Sequence, residues 1–194
     1  MMRNIMLLVF GISILWHNQS AESAADPWRG DTRFLPQYCK DRVKGISSAE
    51  FNKWRGTFGE VYIHIHHYCG GLYAEQKARS TINQQERSSW LGNVIGEMRY
   101  VGGHCGPGCV LYPELQSRWG WALGEQGQLG EAIQHYQLAI KAKPRYASAY
   151  AQLSDLYVKN KQPDEARKVL ESGLKAKPGS RMLQKRLQKL DPTQ

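Results

Sequence analysis

Pro144 and Pro178 stand 34 residues apart, and the residues before them recur at the same offset. Glu131 answers to Glu165, Ala132 to Ala166, Tyr136 to Leu170, Ala139 to Gly173 and Gly120 to Ser154. Lys-Ala-Lys-Pro closes both copies. Each copy reads as two helices. Apolar residues at helical spacing run over 113–124, Gly127-Gln128-Leu129-Gly130 is a turn, and a second helix spans 131–142. The next copy predicts helices over 147–159 and 164–176. One such pair cannot bury its apolar face alone, whereas stacked neighbours can. The repeat therefore dictates an all-α chain of antiparallel helix pairs, and about three pairs are needed for stability. Two clear copies require help at both ends.

Segments 113–146 and 147–180 resemble consecutive tetratricopeptide repeats (TPRs), over about a third of the chain. The first has Gly120, Leu123, Gly127, Ala132, Tyr136, Ala139 and Pro144 at the family's small, aromatic and proline positions. The second has Tyr150, Leu153, Ser154, Tyr157, Ala166, Leu170, Gly173 and Pro178 there. Gln116 departs from a usual large apolar residue, and Lys161 from a usual turn glycine. Small residues let two helix axes approach, and proline ends the second helix so that the next unit starts. The resemblance implies a short TPR-type α-solenoid with an irregular N-terminal arm. It also implies a concave face, lined by first helices, that binds a protein or peptide. By family register that face shows Glu114, Ser117, Trp121, Glu125, Ser148, Ala151, Asp155 and Lys159, with Trp121 as the expected anchor. The basic and polar clamp by which some members hold acidic C-terminal peptides is absent, because Ser117, Trp121, Ala151 and Asp155 occupy its places.

The flanks are expected to close the array. Residues 181–194 read as a capping helix and tail, with Met182, Leu183, Leu187 and Leu190 in one stripe and Lys185, Arg186 and Lys189 outside it. Residues 60–112 read as a degenerate TPR-like hairpin, or else an unrelated one. Gly96, Tyr100 and Gly103 have the spacing of Ala132, Tyr136 and Ala139, and Gly70-Gly71 precedes Tyr73. One helix is expected from Glu60 to about Ser80, although residues 61–68 also alternate like a strand. A polar connection over 81–86 lengthens the inter-helix loop, and Ser88 or Ser89 caps a helix to about Gly103. Gly106-Pro107-Gly108 then enforces a turn. Residues 26–59 form the arm, with a short helix through Phe51 and Trp54 that starts at a capping box of Ser47 and Glu50.

Residues 1–25 are expected to be a secretory signal. Arg3 precedes an uncharged apolar run over 5–16, and Ser23-Ala24-Ala25 offers small residues for cleavage. That run is shorter than the roughly 20 residues of a spanning helix, so no stable membrane insertion is expected after cleavage. The mature part has no Asn-x-Ser/Thr sequon, which fits a bacterial envelope protein in the periplasm. It holds four cysteines, Cys39, Cys69, Cys105 and Cys109, an even count that suits two disulfides in an oxidising compartment. Three connectivities are open. The Gly-Pro-Gly turn favours Cys105–Cys109, which leaves Cys39–Cys69 to tether the arm.

The chain is basic, with 26 Lys plus Arg against 17 Asp plus Glu. These residues are interleaved with acidic and apolar ones rather than clustered, and no nucleic-acid motif is present. No nucleophile elbow, phosphate loop or dinucleotide fingerprint occurs, so neither catalysis nor a cofactor is expected. His64, His66, His67 and His104 lie near cysteines. Imidazole and thiolate are common zinc and copper ligands, so a metal-binding or thiol-linked factor is the alternative to a non-catalytic scaffold. Against it, the spacing matches no established metal motif.

Overall fold

The computed structural model describes residues 31–190. The signal segment and the last four residues lie outside that span. α1 (Gln37–Arg42) and α2 (Ala49–Phe58) belong to the arm. A 3₁₀ turn (Gly59–His64) runs into α3 (Ile65–Ser80), which α4 (Gln84–Gly102) follows. Then come α5 (Tyr112–Glu125), α6 (Leu129–Ala142), α7 (Ala147–Lys159), α8 (Pro163–Ala176) and α9 (Arg181–Leu190). The fold is an all-α, TPR-type solenoid. Helices pair as α3/α4, α5/α6 and α7/α8, and each pair packs on the next through α4/α5, α6/α7 and α8/α9.

Small residues sit where helices touch. A methyl group on Gly173 would lie 2.8 Å from both Leu183 Cδ1 and Tyr150 Cγ, and one on Gly120 would lie 3.0 Å from the Ala132 carbonyl oxygen. The two departures from the repeat pattern are accommodated locally. Gln116 is buried, and its side-chain oxygen accepts a hydrogen bond from His135 Nδ1. Burial pushes His135 down to about 4, so its imidazole is neutral at pH 7, and it stacks on Trp119. Lys161 takes φ 58°, matching φ 81° at Gly127 one repeat earlier. A non-glycine residue in that left-handed conformation costs about 1 kcal/mol.

The region before α5 departs from its sequence reading in three ways. α4 begins at Gln84 because Asn83, rather than Ser88 or Ser89, accepts from the Glu86 N–H at 2.9 Å. The connection is therefore the short stretch 81–83, not a lengthened loop. Gly96, Tyr100 and Gly103 do not form the packed face of α4 and are exposed. Leu91, Val94, Ile95, Met98 and Val101 are buried instead, and Met98 lies against Gly71. Spacing alone does not say which side of a helix its neighbours cover. Finally, Ser48 rather than Ser47 caps α2, accepting from the Phe51 N–H at 3.0 Å.

The arm is an aromatic plug on the open end of the array. Tyr38 packs edge-on against Phe58 and Trp54 (ring centroids 5.0 and 6.0 Å), and Phe58 stacks on Tyr62. The buried Tyr62 hydroxyl donates to the Tyr38 carbonyl at 2.9 Å. Asp41 latches α1 to α2, accepting from Trp54 Nε1 and Gln37 Nε2, each at 2.9 Å. The Trp54 bond, and then Lys44, hold its carboxyl at about 2. A depressed pKa adds stability that is present above the unfolded carboxylate's value near 4 and is lost as pH falls toward 2. Acid titration followed by Trp fluorescence is expected to loosen the plug in that window in the wild type. Asp41→Asn removes that pH dependence.

Candidate functional site

The first helices α3, α5, α7 and α9 line one face, and a groove of about 370 Å³ opens there. Its floor is Gly124, Tyr136 and Leu156. Its walls carry Trp121 and Glu125 from α5, and Gln152, Asp155 and Lys159 from α7. Arg79 of α3 and Arg186 of α9 close the ends. Trp121 is half-buried, and the Arg79 guanidinium lies 3.9 Å from a ring centroid of its indole. One face of the expected anchor is thus already covered by a cation.

The groove charges are paired across helices. Glu125 takes Arg87 of α4 on one oxygen and Lys159 on the other, the latter at 3.0 Å. Glu125 and Lys159 are 34 residues apart, so this pair links equivalent positions of adjacent units. Burial pushes the Glu125 carboxyl up, but the bonds from Arg87 and Lys159 outweigh it and hold the carboxyl below its ordinary value. Asp155 accepts two bonds from Arg186, each at 2.9 Å. The Arg87–Glu125 pair is partly buried, but the Lys159–Glu125 and Arg186–Asp155 pairs are exposed, and such exposed pairs contribute roughly 0–1 kcal/mol. A partner's charged groups therefore displace them at small cost, and the pairs hold the walls in place until then.

A second hollow of about 510 Å³ adjoins the groove at Arg79. It lies between α3 and the start of the arm, where Phe34 is 67% exposed and Leu35 is buried. Arg118 of α5 sits at its base. It donates to Glu75 and to Tyr68 of α3 and to Glu114 on its own helix. Burial opposes the Arg118 charge, but Tyr68, Glu75 and Glu114 together hold its pKa well above the ordinary value.

Of the residues expected to face a partner, Trp121, Glu125, Asp155 and Lys159 meet in one groove. Glu114 is held in the Arg118 cluster instead. Ser117 and Ala151 are each 1% exposed and are unavailable, because α5 and α7 turn those positions into the packed interior. Ser148 lies elsewhere, at the edge between units. Sequence reasoning missed Gln152, Arg186 and Arg79. Arg118, Gln152 and Arg186 are spaced at 34-residue intervals, so the repeat held the signal for Gln152 and Arg186. Arg79 lies outside the clear repeats and left none.

The histidine and cysteine region is arranged differently from a metal centre. Cys39 is bonded to Cys69 and Cys105 to Cys109, so the thiolates that a thiol or metal site would use are committed. His64 stacks on His104 at 3.7 Å between centroids, His67 Nδ1 meets Glu97 at 2.7 Å, and His66 Nδ1 faces the Ile63 carbonyl. No group of three or more metal-capable side chains converges among the described residues. No described helix is long and apolar enough to cross a membrane.

Residues 124–190 match the family model described as Tetratricopeptide repeat. That span runs from the end of α5 through α9 and includes much of the groove. Among solved structures, the chain is similar to the first TPR of Spaghetti (RPAP3) bound to HSP90 peptide SRMEEVD. The sequence identity is 16%, the match covers 63% of this chain and 93% of that chain, and the TM-score is 0.46. No curated protein matches the chain.

Proposed function

We propose, on the premise that residues 124–190 carry tetratricopeptide repeats, that the chain is a non-catalytic scaffold of the cell envelope that holds a partner protein or peptide in the groove between α3 and α9. The observation that carries this reading is the groove itself. It has an apolar floor, a half-buried indole and four polar side chains, Glu125, Gln152, Asp155 and Lys159, reaching it from two successive first helices. A convergent set of this kind suits an extended segment that needs several contacts along its length. The peptide named with the similar TPR structure gives the same kind of ligand for that protein. Export is supported by the apolar run after Arg3 and by two disulfides, which persist in oxidising compartments.

The test starts from the chain recovered from the envelope fraction, whose intact mass is expected to show a start near residue 26. A mass beginning at Met1 rules out the signal. Peptides selected on that chain from a random library are expected to bind in the groove. Trp121→Ala then weakens them by about tenfold or more, the usual effect of truncating an anchor. Gln152→Arg and Lys159→Glu, which change the wall but not the core, should also weaken them. Unchanged binding by both wall variants means that the partner uses another surface.

A further inference from the structure

The edge where one repeat hands over to the next carries a second cleft, separate from the groove. α6 ends at Ala142 and α8 at Ala176, and each is followed by Lys-Pro and a tight turn into the next helix. The repeat stacks these two turns side by side. Between them lies a cleft of about 490 Å³ whose charged lining residues are Lys143, Arg145, Lys177 and Arg181. No Asp or Glu lines it, and none of these four cations has an ion-pair partner among the described residues. The contrast with the groove is sharp, since there both carboxylates are matched by a cation.

Two further features bear on what fits. Ser180 lines the cleft, is only 6% exposed, and its hydroxyl makes no hydrogen bond among the described residues. Its oxygen keeps contact with solvent through the cleft, so the hydroxyl is available there as a hydrogen-bond donor. The cleft also receives the starts of α7 and α9, through Ala147 and Ser148 and through Arg181 and Met182. α7 has no side-chain cap, and its Ala147 and Ala149 N–H groups bond the Arg145 and Tyr146 carbonyls of the preceding turn. The positive ends of two helix dipoles, a hydroxyl and four cations without a carboxylate partner all suit a compact polyanion with several acceptor oxygens.

We propose that this cleft binds a phosphate group, presented by a phospholipid headgroup or by a soluble phosphate ester. Lys143 and Lys177 are equivalent residues of adjacent repeats and grip it from both turns, Arg145 and Arg181 neutralise its charge, and Ser180 donates to it. The site is independent of the peptide groove.

Pyrophosphate titration of the mature chain by calorimetry at physiological salt is the first arm. Co-sedimentation with phosphatidylglycerol vesicles, against phosphatidylcholine vesicles, is the second. Lys143→Gln with Lys177→Gln is expected to weaken binding roughly tenfold or more, as expected for losing two charge-assisted contacts. Lys141→Gln with Lys175→Gln removes the same charge two residues earlier and outside the cleft, and should leave affinity within about twofold. Ser180→Ala should weaken binding without changing charge. Dependence on the cleft residues in the vesicle arm identifies a lipid headgroup, and dependence in the pyrophosphate arm alone identifies a soluble ester. Equal losses from the two lysine pairs, or no binding in either arm at millimolar phosphate, overturns the proposal. Binding of nucleic acid that ignores Lys143 and Lys177 overturns it as well.

Discussion

Replacing Cys39 and Cys69 together with Ala is expected to lower the melting midpoint of the N-terminal half by roughly 10 °C. The bond joins α1 to α3 across a sequence separation of 30, and both cysteines are fully buried. In the chain-entropy model a closed loop of that length stabilises by about 3.5 kcal/mol, less any strain. The helices it holds are weak by themselves. α1 has 6 residues and α2 has 10, below the roughly 12–15 that an isolated helix needs. Once untethered, the aromatic plug should exchange its amide protons faster, while α5 to α9 keep their protection. Hydrogen exchange read by mass spectrometry follows both halves in one experiment. Loss of protection throughout the solenoid in a single step would contradict this division. The Cys105–Cys109 bond spans a separation of only 4, so its removal should cost about 2 kcal/mol or less.

Arg118→Met is expected to destabilise the chain by about 3 kcal/mol, because it strands a carboxylate already taken out of water. Glu75 is 9% exposed, and Arg118 reaches it, Tyr68 and Glu114 from the next first helix. Arg79 remains on Glu75 in the variant, but it is an exposed side chain on the same helix and holds only one side of the carboxylate. Adding Glu75→Gln to Arg118→Met should recover part of the loss, since a neutral amide is cheaper to bury than an unpaired charge. Chemical denaturation of the wild type, the single variant and the double variant reads the difference. A loss below about 1 kcal/mol in the single variant would mean that the cluster behaves as an ordinary surface pair.

Legibility followed periodicity. From residue 113 onward, helix positions, turns and the small residues at close contacts were all readable, because a 34-residue period ties each position to its counterpart. The same period places Trp121 with Asp155 and Glu125 with Lys159 on one face. Before residue 113 there is no second copy to align. Gly96 and Tyr100 looked like packing residues but face solvent, and the start of α4 rested on one cap, Asn83, among several candidate polar residues.

The sequence by itself determined the helical class and the pairing of helices within the clear repeats. Those follow from local periodicity and from the need of each amphipathic pair for a neighbour. Only the tertiary structure decided that Ser117 is buried, that Arg79 covers Trp121, and that Arg118 ties α3 to α5. It alone brought four cations without a carboxylate partner to one cleft beside Ser180. The physical reason is that burial and charge pairing depend on which side of each helix its neighbour covers. Residues 43 apart in sequence, such as Glu75 and Arg118, become partners only when α3, which lies outside the clear repeat, is brought against α5.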